Sequence, residues 1–168
     1  FLESTTVEGL RGGGNMTKEQ FKALEARAKS GDPVAAYDLG VAYQRGDSVK
    51  ADLKRAVVWW KKSAEAGYAL AEYNLGVAYQ RGLGVKEDEK LAVRYYTSAA
   101  EKHFGPAEYN LGFCYYNGTG VARGPQRALY WWNVALSHGF QKAGEATGKF
   151  AARLMQADEQ RAQQSKKE

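Results

Sequence analysis

The residue types able to do chemistry are few in this chain, and their spacing argues against most of it. There are two histidines, His103 and His138, and one cysteine, Cys114. No His pair stands at i, i+4 and there is no second Cys, so local spacing offers no zinc site and none is expected. His103 falls where a helix should end in a left-handed residue, a conformation His tolerates better than most side chains. His138 falls in the last turn of a helix, where partial positive charge suits the dipole. Cys114 lies on an apolar helical stripe and reads as a small core residue. Gly82-x-Gly84 and Gly118-x-Gly120 resemble phosphate-cradling glycines, but no strand precedes them and no Lys-Ser or Lys-Thr follows, so they read as turns. The run Glu87-Asp88-Glu89 reads as a helix start. Catalysis has no support here: no enzyme, no cofactor and no metal are expected.

A second set of residues has a different use. Tyr37, Val41, Gln44 and Arg45 follow i, i+4, i+7, i+8 and share one helical face. Their counterparts are Tyr73, Val77, Gln80 and Arg81, then Tyr109, Phe113, Tyr116 and Asn117. Aromatic and Arg side chains dominate binding hot spots, so this face is the candidate for recognition of a protein or peptide. For Tyr37, Tyr73 and Tyr109 the alternative is packing between adjacent helices. Lys149 and Arg153, further along, extend the positive charge of the Arg positions. The expected partner is therefore anionic or carries a few acids, and Arg81→Glu is expected to weaken binding with little change in melting temperature.

What positions these residues is an internal repeat. Ala35-Ala36-Tyr37-Asp38-Leu39-Gly40 returns as Ala71-Glu72-Tyr73-Asn74-Leu75-Gly76 and as Ala107-Glu108-Tyr109-Asn110-Leu111-Gly112. The register is constant, residues 35–70 and 71–106 are identical at half of their positions, and partial copies flank the three full ones. Each repeat reads as two helices. In the first (A), Leu39, Ala42 and Tyr43 form an i, i+3, i+4 stripe. Gly40, Gly76 and Gly112 lie inside it at a cost of about 1 kcal/mol each relative to Ala. A glycine kept at that cost implies a helix crossing at close range. On this reading Gly76→Leu is far more damaging than Gly84→Ala, which strains one turn. The second helix (B) starts at Asp52, at Asp88, or at Gly124 before Pro125. Its core stripe is Ala56, Trp59, Trp60, Ala64, with siblings Ala92, Tyr95, Tyr96, Ala100 and Ala128, Trp131, Trp132, Leu136. It ends at Gly67, His103 or Gly139. Thr17 with Gln20 makes a capping box for the opening half repeat. Ser48 takes the place of a turn glycine, at some strain.

The pattern Ala-x-x-x-Leu-Gly, an aromatic three residues on, a Gly-x-Gly-Val turn, an Asp, Lys-Ala, a Trp or Tyr and a closing Ala-Ala-x-x-Gly is that of the Sel-one-like repeat, a relative of the tetratricopeptide repeat, which this chain resembles over roughly residues 17–150. The resemblance implies an all-α, right-handed α-α superhelix (solenoid) of antiparallel helix pairs, with A helices on the concave side. It implies work as an adaptor. In bacteria such proteins include regulators, envelope scaffolds and immunity proteins that neutralise effectors. By the same resemblance, Asn74 and Asn110 match the A-helix Asn that holds a peptide backbone in tetratricopeptide grooves, a task suited to an amide that both donates and accepts. Asp38 replaces that Asn in the first repeat. The cysteine-rich branch of the family carries a disulfide in each repeat, and this chain departs from it.

Composition sets the remaining bounds. The chain has 168 residues, 44% hydrophobic and 26% charged, with a net charge of +5. The basic residues are dispersed among acids, so no nucleic-acid partner is expected. No apolar run reaches spanning length, and no secretory leader is legible in the sequence. With one Cys, a cytoplasmic location is the expectation. Two function classes stay open: a peptide- or protein-binding adaptor, and a structural scaffold of a larger assembly.

Helices are expected near 17–29, 33–45, 52–66, 70–81, 88–102, 106–117, 125–138 and 142–162, the last capping the array with Lys149 and Arg153 toward solvent. The repeat domain is expected over 16–163 and a charged tail over 164–168. Residues 1–15 fit no half of the repeat. Gly12, Gly13, Gly14 and Asn15 look like a joint, and residues 1–11 read either as a ligand peptide fused to its receptor or as a cloning scar.

Overall fold

The computed structural model describes residues 16–165, apart from the side chains at 154, 155 and 158. The expectations for residues 1–15, and for the tail beyond Ser165, lie outside the described residues. Eight α-helices occur among the described residues: α1 (Lys18–Lys29), α2 (Pro33–Arg45), α3 (Leu53–Glu65), α4 (Ala69–Arg81), α5 (Glu89–Glu101), α6 (Gly105–Asn117), α7 (Pro125–Ser137) and α8 (Lys142–Gln164). The chain divides into two compact units, one ending at Tyr95 and one beginning at Tyr96.

In the first unit α2 packs mainly on α3, with α1 against α2 and α4 against α3. The stops and starts are those the residues dictate. Thr17 and Gln20 close the capping box on α1. The Asp32 carboxylate accepts from the amides of Val34 and Ala35 at the head of α2. Gly46 ends α2 in the left-handed conformation, and its amide donates to the Ala42 carbonyl. One clip then recurs in both units. The amide of the B-helix cap residue donates to an A-helix tyrosine carbonyl: Asp52 to Tyr43 at 2.8 Å, Asp88 to Tyr79 at 2.9 Å and Gly124 to Tyr115 at 2.8 Å. Gly124 keeps this bond although it lacks the Asp side chain, and the Arg123 Nε–H donates to the Tyr116 carbonyl beside it at 3.1 Å.

The interior glycine has the reason the sequence suggested. A Cβ added at Gly40 would lie 2.4 Å from the Trp60 indole nitrogen, and Trp60 is buried. In the second unit, where α7 packs on both α6 and α8, a Cβ at Gly112 would lie 2.3 Å from the same atom of Trp132. Glycine in A and tryptophan in B are thus one device, used in each unit.

Three details differ from the sequence reading. Gly84 does more than turn the chain: a Cβ there would lie 2.5 Å from the Leu53 carbonyl oxygen, which is backbone and cannot step aside. The wide gap expected between Gly76→Leu and Gly84→Ala therefore narrows from the Gly84 side. Leu136, expected in the core stripe, is exposed, and the buried apolar residue on that face of α7 is Ala135. Trp59 is half-buried, with the Lys62 ammonium 4.4 Å above its ring. The left-handed ends are as expected: Gly67, His103 and Gly139 have φ of 83°, 61° and 86°, and Ser48 also takes a positive φ. Ser48 donates its hydroxyl proton to the Met16 carbonyl.

Candidate functional site

The second unit carries the groove. Tyr109, Phe113 and Tyr116 line one side from α6, and Trp132 forms its floor from α7. Glu145, Ala146, Lys149, Phe150 and Arg153 close it from α8, around a cavity of about 220 Å3. Residues 109, 113 and 116 lie on one face of α6, and 146, 149, 150 and 153 on one face of α8. The walls brace one another. Phe113 meets Tyr109 and Trp132 edge-on, with centroids 4.9 and 5.0 Å apart, and Tyr116 meets Phe150 edge-on at 5.6 Å. The Trp132 indole N–H donates to the Tyr109 carbonyl at 3.2 Å, which holds the floor against α6. The Arg153 guanidinium donates to the Tyr116 hydroxyl. Burial, and then the Glu145 carboxylate, push the Tyr109 phenol above its ordinary range, so it stays a neutral donor. The groove offers flat apolar walls with a rim of two cations and one carboxylate.

Five of the candidate residues meet in this groove: Tyr109, Phe113, Tyr116, Lys149 and Arg153. Asn110 and Asn117, on the same helix, do not line it. Sequence reasoning missed Trp132, Glu145, Ala146 and Phe150. The i, i+3, i+4, i+7 spacing of 146, 149, 150 and 153 was the available signal.

In the first unit the corresponding residues lie differently. Tyr37, Tyr73, Asn74 and Val77 are buried, so the tyrosines follow the packing alternative. Tyr37 meets Tyr68 edge-on at 5.4 Å and shares a hydrogen bond with the Asn74 side chain. Burial pushes its phenol up to about 12. Asn74, matched above to a peptide-holding Asn, spends its amide on Tyr37, and its carbonyl oxygen is buried with no hydrogen-bond partner. Asp38 is half-buried. Desolvation raises its carboxyl to about 6, against the opposing pull of Arg27. Val41, Gln44 and Gln80 are partly covered, and Arg45 and Arg81 are exposed.

One cluster joins residues that local spacing keeps apart. The His138 imidazole Nδ1 lies 2.7 and 3.0 Å from the two carboxylate oxygens of Glu108, which is fully buried. The His103 ring lies against the His138 ring, with centroids 4.7 Å apart. The expectation of no metal site considered neighbours in sequence, whereas these three residues meet only through packing.

Comparison with known proteins now decides the family. The Sel1 repeat matches residues 33–68, 69–104 and 105–140, three contiguous copies. The chain belongs to the Sel1 repeat family. Among solved structures it is similar to a protective antigen of uropathogenic Escherichia coli strains that displays an SLR fold. That likeness has 32% identity and a TM-score of 0.78, over 80% of this chain and 29% of that one. It is also similar to a Sel1 repeat protein from Oxalobacter formigenes, with 31% identity and a TM-score of 0.75, over 79% of this chain and 55% of that one. Cysteine rich protein B of Helicobacter pylori shares the fold at 23% identity and a TM-score of 0.59, over 80% of this chain and 99% of that one. The chain spans less than two thirds of the length of the first two. No curated protein matches it. The Sel1 copies begin at Pro33, Ala69 and Gly105, the first residues of α2, α4 and α6, so each family copy spans one A helix and the B helix that follows it in sequence. The all-α fold class read from the sequence is the fold of this family. Among the described residues no helix is long and apolar enough to cross a membrane.

Proposed function

We propose that this Sel1 repeat chain is a non-enzymatic binding module whose groove takes a short segment of a partner protein. The segment carries an aromatic or aliphatic anchor next to an acidic group. The observation that carries this reading is the joining of aromatic walls to Lys149 and Arg153 in one cavity of about 220 Å3, large enough for one or two side chains. Aromatic walls supply area at low entropy cost, and the cations select sign and speed encounter. Glu145 on the same rim disfavours a second acid beside the first and so sets the segment's direction. Bacterial regulators and effector-immunity proteins are two forms such an adaptor takes, and the bound partner's identity separates them.

The test is a binding titration against an array of short peptides pairing Phe, Trp or Leu with Asp or Glu, followed by recovery of partners from the source cell. Saturable 1:1 binding that is lost in Phe113→Ala and in Lys149→Glu/Arg153→Glu supports the groove. Recovery of a large assembly indifferent to these substitutions supports the scaffold reading instead.

A further inference from the structure

The chain contains two histidines, and the fold brings both to one buried carboxylate. Glu108 stands in the first turn of α6 with no exposed surface. His138 caps the end of α7 and holds both Glu108 oxygens through Nδ1. His103 ends α5 in the left-handed conformation at φ 61°, where the other repeats place Gly67 and Gly139. A donor atom from each of the three residues lies within 4.8 Å of the other two.

Three features of this cluster need a common reason. A side chain replaces glycine at a position whose backbone favours glycine. A carboxylate is taken wholly out of water, which is costly unless a cation meets it. A second imidazole also lies against the one already bonded to that carboxylate. Shifted back by one repeat, the three positions read Gly67, Glu72 and Lys102, so the paired imidazoles are particular to one repeat.

We propose that His103, Glu108 and His138 form a binding site for a divalent transition-metal ion, zinc foremost, through two imidazole nitrogens and one carboxylate. Imidazole and carboxylate together are a borderline ligand set suited to Zn2+, and to Cu2+ or Ni2+ at higher intrinsic affinity. Zinc bonds of about 2.0–2.2 Å in a tetrahedron place ligand atoms roughly 3.3 Å apart. The Glu108–His138 pair at 2.7 Å must open by about half an ångström to reach that spacing. The wider pairs must close by about 1.5 Å at most. Both imidazoles are at the surface and can turn about their side-chain torsions, whereas Glu108 is held by burial. The metal would lie between the Glu108 carboxylate and the two imidazoles, and its fourth position would be open to water or to a side chain of a partner.

The experiment uses the whole chain, stripped with a chelator and titrated with zinc chloride. It is followed by calorimetry and by the NMR signals of the two imidazoles. The expected result is 1:1 binding in the micromolar range or tighter, with both imidazole signals shifting together and a higher melting temperature in zinc. His103→Gly and His138→Lys place at each position the residue found one repeat earlier. Each is expected to weaken zinc binding by at least tenfold and to remove the thermal shift, with the helical spectrum unchanged. His103→Gly relieves a left-handed residue, so it folds and decides the matter even if His138→Lys does not fold. Zinc binding of unchanged affinity in His103→Gly, movement of one imidazole alone, or no response at millimolar zinc would overturn the proposal.

Discussion

The A helices of the two units carry the same motif in the same register, yet α2 and α4 hide what α6 displays. Tyr37 and Tyr73 are buried, whereas their counterpart Tyr109 lines an open groove. Val77 is buried, whereas its counterpart Phe113 is a groove wall. Repeat equivalence therefore fixes where a side chain points along its helix and not whether solvent reaches it. In the second unit the difference is made by α8. It is longer than the other helices, and it sets Phe150, Lys149 and Arg153 opposite α6 across a gap. A degenerate half repeat has become one wall of a site.

The strongest way to break this comparison is to remove the tryptophan of each unit. Trp60→Ala and Trp132→Ala should each cost about 3–5 kcal/mol, since both indoles are buried against a glycine helix. Only Trp132→Ala should also abolish groove binding under conditions where the variant is still folded, because Trp132 is the groove floor. Denaturant titration and peptide titration on both variants separate the two effects. Equal loss of binding would place the site outside the groove.

Next in size are the glycines. Gly40→Ala and Gly112→Ala should each destabilise by about 1–3 kcal/mol, because the added methyl meets a buried indole that cannot retreat. Gly84→Ala should fall in the same range and exceed Gly82→Ala. The Leu53 backbone blocks the first, whereas a Cβ at Gly82 makes ordinary contacts at 3.6 Å. A Gly82→Ala variant with the lower midpoint would refute the close approach at Leu53.

These cases show what could be read in advance. The repeat, its caps and its left-handed ends were legible because each depends on residues close in sequence: Asp32 with the next two amides, Gly46 with Ala42. The glycine crossing was legible from recurrence alone. Exposure was not, because Tyr37 and Tyr109 hold the same place in the repeat, and what covers or uncovers each comes from other helices. Nor was the meeting of His103 with Glu108 and His138, since it requires the ends of α5 and α7 to converge on the start of α6.

A smaller effect separates Asp38 from Asn74 and Asn110, which hold the same register. The Asp38 carboxyl is raised to about 6 from 3.8, mainly by burial. The unfolded chain therefore releases this proton at lower pH than the folded one. Asp38 makes stability fall as pH rises from about 4 to 6, and the full cost persists above that. Raising the carboxyl from 3.8 to about 6 corresponds to about 3 kcal/mol as an upper bound, which partial exposure reduces to roughly 1–2 kcal/mol. Asp38→Asn should raise the denaturant midpoint at pH 7.5 and leave it nearly unchanged at pH 4. An equal gain at both values would assign the benefit to a new hydrogen bond and not to charge.

The smallest effects belong to surface charge, and they sharpen the comparison most. Arg153→Glu and Arg45→Glu each reverse one exposed cation, in the second and first unit respectively. Exposed charges contribute little to stability, so both variants should melt within a few degrees of the parent. Their binding should diverge. Arg153 lines the groove and donates to the Tyr116 hydroxyl, so its reversal removes a cation beside the anchor and loosens one wall. A loss of about tenfold in affinity, mostly lost attraction and weaker at high salt, is the expected outcome. Arg45→Glu should change affinity by less than about twofold, through long-range charge alone. If the two variants lose affinity equally, the earlier A-helix face contributes to binding after all. The Arg81→Glu weakening expected from the sequence would then stand, and the partner would be longer than the groove alone can hold.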